Sequence, residues 1–140
     1  MNKTAQREAI LQELRSSDSH PTANELYTVL RIKLPSISLG TVYRNLEQMA
    51  QVGMVREIET AGKQKRFDGV VDGHHHIRCP ICDALKDAPS ALFGKIDREV
   101  YEIMCAMECD SFNLEFSGQC RKCKNTKEED RKCKSKKENF

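Results

Sequence analysis

Apolar positions recur at helical spacing in three consecutive segments of the N-terminal half of the chain. The first segment, with Thr4 as its N-cap, predicts a helix over residues 5–15, and a run of small polar residues separates it from the second segment. The second helix is predicted to start at Ala23, because Thr22 and Glu25 have the spacing of a capping box. Both helices therefore begin beside a side chain suited to capping.

The third segment begins after Ser38, a favourable N-cap, and Gly53 ends it. Two short extended segments follow, over residues 54–58 and 64–67. Three helices followed by a β-hairpin are typical of the winged helix, a variant of the helix-turn-helix. Residues 1–66 are therefore predicted to form a winged-helix DNA-binding domain. The apolar face of its third helix consists of Leu39, Val42, Leu46, Met49 and Ala50.

The pattern changes after this domain. Residues 67–73 contain two glycines and no periodicity, which predicts a hinge. Residues 74–123 are predicted to form a metal-binding dimerisation domain, and residues 124–140 a charged flexible tail. The elements of the second domain are a strand, a partner strand, an amphipathic helix and a further strand, over residues 74–79, 83–87, 91–107 and 112–116. The predicted fold class is α+β, with an N-terminal winged-helix lobe and a C-terminal α/β lobe.

Length and composition exclude several classes of protein. The chain has 140 residues, and no apolar stretch approaches the about 18–20 residues of a membrane span. Its N-terminal residues lack the apolar core of a signal peptide, so we predict a cytoplasmic protein with no membrane partner. Seven cysteines in such a chain indicate metal ligands or reactive thiols rather than a disulfide framework.

Charge is distributed unevenly along the chain. Residues 1–66 hold ten Lys/Arg and seven Asp/Glu, residues 67–118 hold four and ten, and residues 119–140 hold nine and four. A basic front and an acidic middle indicate a polyanion partner at one end and a bound cation in the centre. Ordinary surface charge explains the same counts equally well, so other evidence must decide. The second domain is also too small to bury much core, so a metal or a dimer partner is expected to stabilise it.

Two Cys-x-x-Cys pairs carry the strongest chemical signal. Each pair supplies two thiolates from a tight turn, and four thiolates suit tetrahedral zinc. The metal would tie the start of the second domain to its end, which stabilises a lobe that lacks core. The alternatives are two unrelated turns or a redox dithiol, although a redox site normally needs one pair only. The predicted structural zinc ligands are Cys79, Cys82, Cys120 and Cys123.

Three consecutive histidines precede the first cysteine pair. Since alternate residues of a strand point to the same side, His74 and His76 should converge while His75 faces away. Two imidazoles with nearby carboxylates suit Fe(II), Mn(II) or Zn(II). The sequence alone leaves open which carboxylates take part. The candidates are Asp68 and Asp87, with Asp72 and Asp83 as competitors.

The third helix is the candidate DNA reader. Its polar face has side chains that suit base edges and phosphates, and basic residues of the hairpin suit the DNA backbone. An ordinary solvated helix face has the same composition, so this signal is weak when taken alone. The predicted contacts are Thr41, Tyr43, Arg44 and Asn45 on the helix, and Arg56, Lys63, Lys65 and Arg66 on the hairpin.

Four motifs in this order resemble the ferric uptake regulator family, over about residues 4–123. They are Ser38–Leu46, Arg66-Phe67-Asp68, the run from His74 to Cys82, and the pair ending at Cys123. The resemblance implies a homodimeric, metal-dependent transcriptional repressor, not an enzyme, that binds a double-stranded DNA operator. Within the family, the sequence is most similar to the peroxide-sensing branch.

The resemblance to this branch implies a regulatory Fe(II) or Mn(II) site and a sensing reaction. Its ligands map onto His20, Asp68, His74, His76 and Asp87, and only the resemblance adds His20. Fe(II) would catalyse oxidation of a ligand histidine, His20 or His74, by hydrogen peroxide, the only small-molecule substrate expected. The alternatives are an iron- or zinc-responsive repressor of metal uptake, and a thiol-based redox enzyme.

Three further cysteines have no place in this scheme. Cys105 and Cys109 lie four residues apart, where two side chains of a helix could meet, but buried packing is the expectation. Cys133 lies in the predicted tail, where a free thiol is expected.

Overall fold

A computed structural model describes residues 3–59, 63–92, 94–109, 112 and 114–125 of the chain, which divides into two compact units, residues 1–73 and 74–140. The first unit contains α1 (Lys3–Ser16), α2 (Ala23–Lys33), α3 (Leu39–Gln51), β1 (Arg56–Ile58) and β2 (Arg66–Asp68). The second contains β3 (His76–Arg78), β4 (Leu85–Asp87), a 3-10 turn (Ser90–Leu92), α4 (Gly94–Ala106) and β5 (Glu115–Ser117). This mixture of helix and sheet confirms the α+β fold class.

Local capping signals set the helix boundaries of the first unit. At the start of α2, Thr22 Oγ1 accepts the Glu25 N–H at 3.2 Å and Glu25 Oε2 accepts the Thr22 N–H at 2.8 Å, as predicted for a capping box. The Ser38 side chain caps α3. The prediction for α1 was wrong at its start, because the helix already includes Lys3 and Thr4 therefore lies inside its first turn.

A single apolar core holds the three helices and the hairpin together. The β1 and β2 strands pair antiparallel, with Arg56 opposite Asp68. Phe67, on the central position of β2, is almost fully buried against the helices and is the largest side chain of the core. The other buried members are Ile10, Leu14, Ala23, Leu26, Leu30, Ile37, Val42, Leu46, Met49 and Val55.

The predicted hinge starts too early. Phe67 and Asp68 belong to β2, and Gly69 lies so close to α1 that a Cβ there would be 3.0 Å from the Arg15 nitrogen. Residues 67–69 are therefore fixed within the first unit by pairing with β1 and by packing on α1, which a count of glycines does not reveal.

The second unit is a three-stranded sheet with one helix. The strand order is β4-β3-β5, antiparallel between β4 and β3 and parallel between β3 and β5. The strands are shorter than predicted: His74 and His75 precede β3, and Phe112 precedes β5. Strand ends here depend on pairing with a distant partner, which alternation in the sequence does not specify.

Little apolar surface is buried within the second unit. Leu85, Cys79 and Ala88 are its buried apolar residues among those described. On α4, by contrast, Tyr101 is 63% exposed and Ile103 is 58% exposed. A stabilising metal or partner was expected for a lobe of this size, and the distribution of buried and exposed residues agrees with that need.

Some sequence predictions fall at the edge of the described structure. Cys105, on α4, and Cys109, which follows α4, are both exposed in the single chain, so the prediction that they are buried was wrong. Residues 121–125 are helical, whereas Cys133 and the rest of the predicted tail lie outside the described residues. In the part of the chain that the structure describes, no helix has both the length and the apolar character needed to cross a membrane.

Candidate metal centres and DNA-binding face

The four cysteines of the two Cys-x-x-Cys pairs come together in the second unit. Their sulfur atoms all lie within 4.8 Å of one another, and Cys82 Sγ is 3.7 Å from Cys120 Sγ. Two sulfurs of a tetrahedral zinc site, each about 2.3 Å from the metal, lie about 3.8 Å apart. The cluster therefore suits a structural zinc ion in both donor type and spacing.

Backbone N–H groups favour the thiolate form of two of these cysteines. The Cys120 N–H donates to Cys79 Sγ at 3.4 Å, and this contact, with help from the Cys82 N–H, lowers the pKa of Cys79 to about 6. The Cys123 N–H lowers the pKa of Cys120. A hydrogen bond with the Cys82 side chain, together with burial, raises the pKa of Cys123 to about 12.

Two histidines and one aspartate of the second unit converge at the start of its sheet. His74 Nε2 is 3.2 Å from Asp87 Oδ1, and His76 Nε2 is 3.7 Å from the same oxygen. The antiparallel register of β3 and β4 causes this convergence, since Asp87 lies directly opposite His76. Two nitrogens and an oxygen form a donor set that suits Fe(II) or Mn(II).

The neighbouring polar residues have other partners. His75 points away from this group, and its Nε2 is 2.5 Å from Asp97 Oδ1 on α4. Asp83, a competitor for the role of ligand, accepts a hydrogen bond from Arg78 at 2.8 Å. Asp72, the other competitor, belongs to the first unit and is exposed. The geometry of the second unit therefore favours Asp87 over Asp83.

A second nitrogen–oxygen pair lies in the first unit. His20 Nδ1 is 3.6 Å from Asp68 Oδ1, and both residues are nearly completely buried. The β2 strand fixes His20, because its Arg66 donates to the His20 carbonyl at 3.1 Å and its Phe67 N–H donates to the Pro21 carbonyl. His20 adopts a φ of 44°, a left-handed conformation that histidine adopts more readily than most residues. A buried carboxylate beside an imidazole suits a cation.

The outer face of α3 presents part of the predicted DNA contacts. Tyr43 and Arg44 are exposed, and Arg44 donates to Thr41 Oγ1 at 3.3 Å, so Thr41 orients the guanidinium. On the hairpin, Lys63 is exposed and Arg56 is half-buried.

Lys65, on the same hairpin, is already paired with carboxylates. Its Nζ lies 2.9 Å from Glu59 and 3.0 Å from Glu57. Their hydrogen bonds and charges raise the pKa of Lys65 above its usual range, so Lys65 remains a cation at neutral pH. Any approach to a phosphate must therefore compete with these two acidic neighbours.

Two of the predicted DNA contacts, Asn45 and Arg66, are buried and hydrogen-bonded within the first unit. Asn45 is buried, and its side-chain amide donates to the Thr41 carbonyl at 2.8 Å, one turn back on α3. Arg66 is buried and binds the His20 carbonyl and the Glu25 carboxylate. The spacing of polar residues along the sequence does not distinguish a polar side chain that is buried and hydrogen-bonded from one that is exposed.

Sequence reasoning did not identify Arg78 and Glu115 beside the cysteine cluster. Arg78 is buried, and it binds Glu115 through two hydrogen bonds. The one local signal is an arginine directly before Cys79 on a short strand. Its partner, 37 residues away, carries no signal of its own.

A winged-helix unit and a second unit with a four-cysteine cluster define a metal-binding transcriptional regulator. The model of the ferric uptake regulator family matches residues 1–117. Similar proteins include the peroxide-responsive repressor PerR of Staphylococcus epidermidis, 34% identical over 121 residues, which are 86% of this chain and 80% of that protein. The same repressor of Staphylococcus aureus is 35% identical over 120 residues, with the same coverage.

Solved structures agree with these sequence matches. The peroxide stress regulator of Campylobacter jejuni has a TM-score of 0.74 and 28% identity, over 86% of this chain and 90% of that chain. The ferric uptake regulator Fur of Helicobacter pylori has a TM-score of 0.71 over 86% and 80%, and at 22% identity this match supports the fold alone. This chain belongs to the ferric uptake regulator family. It is a metal-responsive transcriptional repressor of a family whose members are dimeric and bind DNA operators, which confirms the predicted family and the general class of function.

Proposed function

We propose that this repressor senses hydrogen peroxide through a regulatory Fe(II) ion, with Mn(II) as a peroxide-insensitive substitute. The observation that carries the proposal is the separation of donor types: thiolates in one cluster, imidazoles and carboxylates in the others. Nitrogen and oxygen donors suit Fe(II) and Mn(II), whereas four thiolates suit zinc. Relatives named peroxide-responsive repressor, at 34% and 35% identity, support the same assignment.

One ion is proposed to take ligands from both units. His20 and Asp68 supply one nitrogen and one oxygen, and the group in the second unit supplies two nitrogens and one oxygen. Fe(II) and Mn(II) with nitrogen and oxygen donors usually take five or six ligands, and the two groups together supply five protein donors. The proposed ligands are His20, Asp68, His74, His76 and Asp87. Because residues 67–69 are fixed within the first unit, the proposed hinge between the units comprises residues 70–73.

Such an ion links metal binding to DNA binding. An ion bound by both units restricts their relative orientation, and a restricted orientation favours binding to two half-sites of a double-stranded DNA operator by a homodimer. DNA must then raise metal affinity by the same factor by which metal raises DNA affinity. On each winged helix, Tyr43 and Arg44 are proposed to reach base edges, with Thr41 as support. Arg56, Lys63 and Lys65 are proposed to contact phosphates.

Bound Fe(II) would supply the electrons that convert peroxide into an oxidant beside its own ligands. We propose that one imidazole, that of His20 or His74, is oxidised: it gains one oxygen atom from peroxide, and the other oxygen of the peroxide leaves as water. An imidazole changed in this way is a poorer ligand, so the units separate and the operator is released. The burial of His20 and Asp68 supports this proposed series of steps, because burial keeps bulk water away from part of the site.

The test is mass spectrometry combined with DNA binding. After a single equivalent of peroxide, protein loaded with Fe(II) should gain one oxygen atom on a peptide that contains His20 or His74. The same protein should release a bound promoter DNA fragment. Protein loaded with Mn(II) is the matched control and should show neither change. Release of DNA without any modified histidine would eliminate the proposed reaction.

An iron- or zinc-responsive repressor of metal uptake is the second candidate function. The ferric uptake regulator family model matches the chain without distinguishing between its branches. DNA binding that depends on Fe(II) and is unaffected by peroxide in the same experiment would favour this alternative.

A further inference from the structure

A buried arginine lies directly before the first zinc-ligand candidate. Arg78 ends β3 and is only 7% exposed. Among the described Asp, Glu, Lys and Arg residues of the second unit, it is the most buried. Its Nε and Nη2 donate to the two carboxylate oxygens of Glu115 at 2.7 and 3.1 Å. Its Nη1 donates to Asp83 Oδ1 at 2.8 Å. One planar guanidinium therefore binds two carboxylates in a fixed fork geometry.

These two carboxylates flank the two cysteine pairs. Asp83 follows Cys82 directly, in a left-handed conformation with φ of 61°, and Glu115 begins β5, the strand that leads to Cys120. Aspartate adopts that conformation more readily than most residues, and the hydrogen bond from Arg78 fixes its carboxylate. Fixing the Asp83 carboxylate therefore also fixes the end of the loop between Cys79 and Cys82.

Main-chain hydrogen bonds continue the same connection. The Gly118 N–H donates to the Arg78 carbonyl at 3.0 Å, and the Cys79 N–H donates to the Ala84 carbonyl at 2.9 Å. The Cys120 N–H then donates to Cys79 Sγ. The side chain of Arg78 and the backbone around it thus hold β5 and the first cysteine loop against the same end of β3.

We propose that Arg78 is a positioning residue for zinc, which holds the two cysteine pairs at the separation that a tetrahedral ion requires. This inference rests on the proposed assignment of zinc to the four cysteines. Groups outside the ligand shell commonly tune a metal site by fixing the orientation of its ligands. Among the described residues, the guanidinium donates to the carboxylates of Glu115 and Asp83, so its effect on the cysteines passes through these two side chains.

The test compares zinc release from R78A and R98A. Arg98 is an exposed arginine of α4 in the same unit and serves as the matched control. Natively purified, zinc-loaded protein is mixed with a chromophoric chelator, and the rate of zinc transfer is measured. R78A should release zinc at least about ten-fold faster than the wild type, the lower end of the range for changes outside the ligand shell. R98A should match the wild type.

Rescue distinguishes positioning from general loss of packing. Millimolar methylguanidinium should slow zinc release from R78A, because it replaces the missing group between Glu115 and Asp83, and it should not affect R98A. Equal release from R78A and R98A, or faster release that methylguanidinium does not slow, would overturn the proposal. If R78A does not fold, R78K is tested in its place. A single ammonium cannot bind both carboxylates as the guanidinium fork does, so zinc release from R78K at the wild-type rate would overturn the proposal. A wild type without zinc would instead refute the zinc assignment itself.

Discussion

Arg66 illustrates how a single buried cation can organise a ligand that is distant in sequence. Its guanidinium binds the carbonyl of His20 and the carboxylate of Glu25, which also closes the capping box of α2. The residue therefore connects a helix start, a strand and a proposed metal ligand. The sequence suggested a phosphate contact because arginine on a wing is usually exposed, and burial by contacts 41 and 46 residues away is not visible in the local pattern.

Replacement of Arg66 by methionine should therefore reduce stability. The change retains apolar bulk but removes the hydrogen bond to the buried His20 carbonyl, and loss of a partner by a buried polar group costs about 1–3 kcal/mol. R66M should lower the free energy of unfolding by about that amount in urea. K63M, at an exposed position of the same wing, should change it by less than about 0.5 kcal/mol. Equal stabilities of the two variants would contradict the structural role of Arg66.

The carboxylate of Asp68 is expected to be essential for the regulatory ion. D68A removes the only oxygen donor proposed from the first unit. Changes outside a ligand shell already weaken metal binding by about 10- to 100-fold, so the loss of a ligand should lower the Mn(II) affinity by at least that factor. Electron paramagnetic resonance of free Mn(II) measures this directly and requires no operator. D72A alters an exposed carboxylate four residues along and serves as the control.

An unchanged Mn(II) affinity in D68A, or an equal loss in D72A, would remove Asp68 from the ligand set. The same comparison decides between two carboxylates that the sequence left open. Zinc content, measured in both variants, should stay at the wild-type level because neither residue belongs to the four-cysteine cluster.

At the scale of the element, the end of α3 depends on one glycine. Gly53 has a φ of 73°, and a Cβ at this position would meet no atom within 4 Å. Glycine is therefore needed at position 53 for its left-handed backbone conformation and not for lack of space for a side chain. G53A should lower the free energy of unfolding by about 1–2 kcal/mol, the penalty for a left-handed residue with a Cβ. The measurement is urea denaturation of the zinc-loaded protein.

G73A provides the matched comparison for this prediction. Gly73 is also unobstructed and is not in the left-handed region, so alanine there should be neutral or slightly stabilising through the unfolded chain. A loss of stability in G73A as large as that in G53A would show that backbone conformation is not the cause.

The elements that the sequence predicted well are those with local boundary signals. Thr22 with Glu25, Ser38 and Gly53 each act within one helical turn, so α2 and α3 could be predicted from their own residues. The start of β5 could not, because its pairing is with β3, almost forty residues earlier.

The same distinction applies to the candidate metal sites. Cysteine spacing within each pair is local and indicated a zinc cluster, whereas the choice of Asp87 over Asp83 depends on the register of β3 with β4 and on the contact of Asp83 with Arg78. His20 was accessible only through the family resemblance, since one histidine in a loop has no periodicity that predicts a ligand.

At the scale of the whole molecule, the two units obtain their stability from different sources. The first has a continuous apolar core built from all three helices and the hairpin. The second buries few apolar side chains among its described residues and contains the four-cysteine cluster. Small lobes of this composition depend on metal because the free energy of metal binding contributes directly to folding. Bound zinc is therefore expected to contribute far more to the folding stability of the second unit than to that of the first.

Zinc removal should expose this difference in amide hydrogen exchange. In zinc-free protein, exchange in β3 and β4 should accelerate by at least about 100-fold, equivalent to about 2.7 kcal/mol of lost protection, because the bonds that join the two cysteine pairs through the metal are lost. Exchange in α2 and α3 should stay within a few-fold of its original rate, since their core contains no cysteine. Removal of Mn(II) alone is the control and should leave β3 protected. Uniform acceleration through both units would mean that zinc supports the core of the helices as well, and that the apolar contacts of the first unit do not suffice to hold it folded.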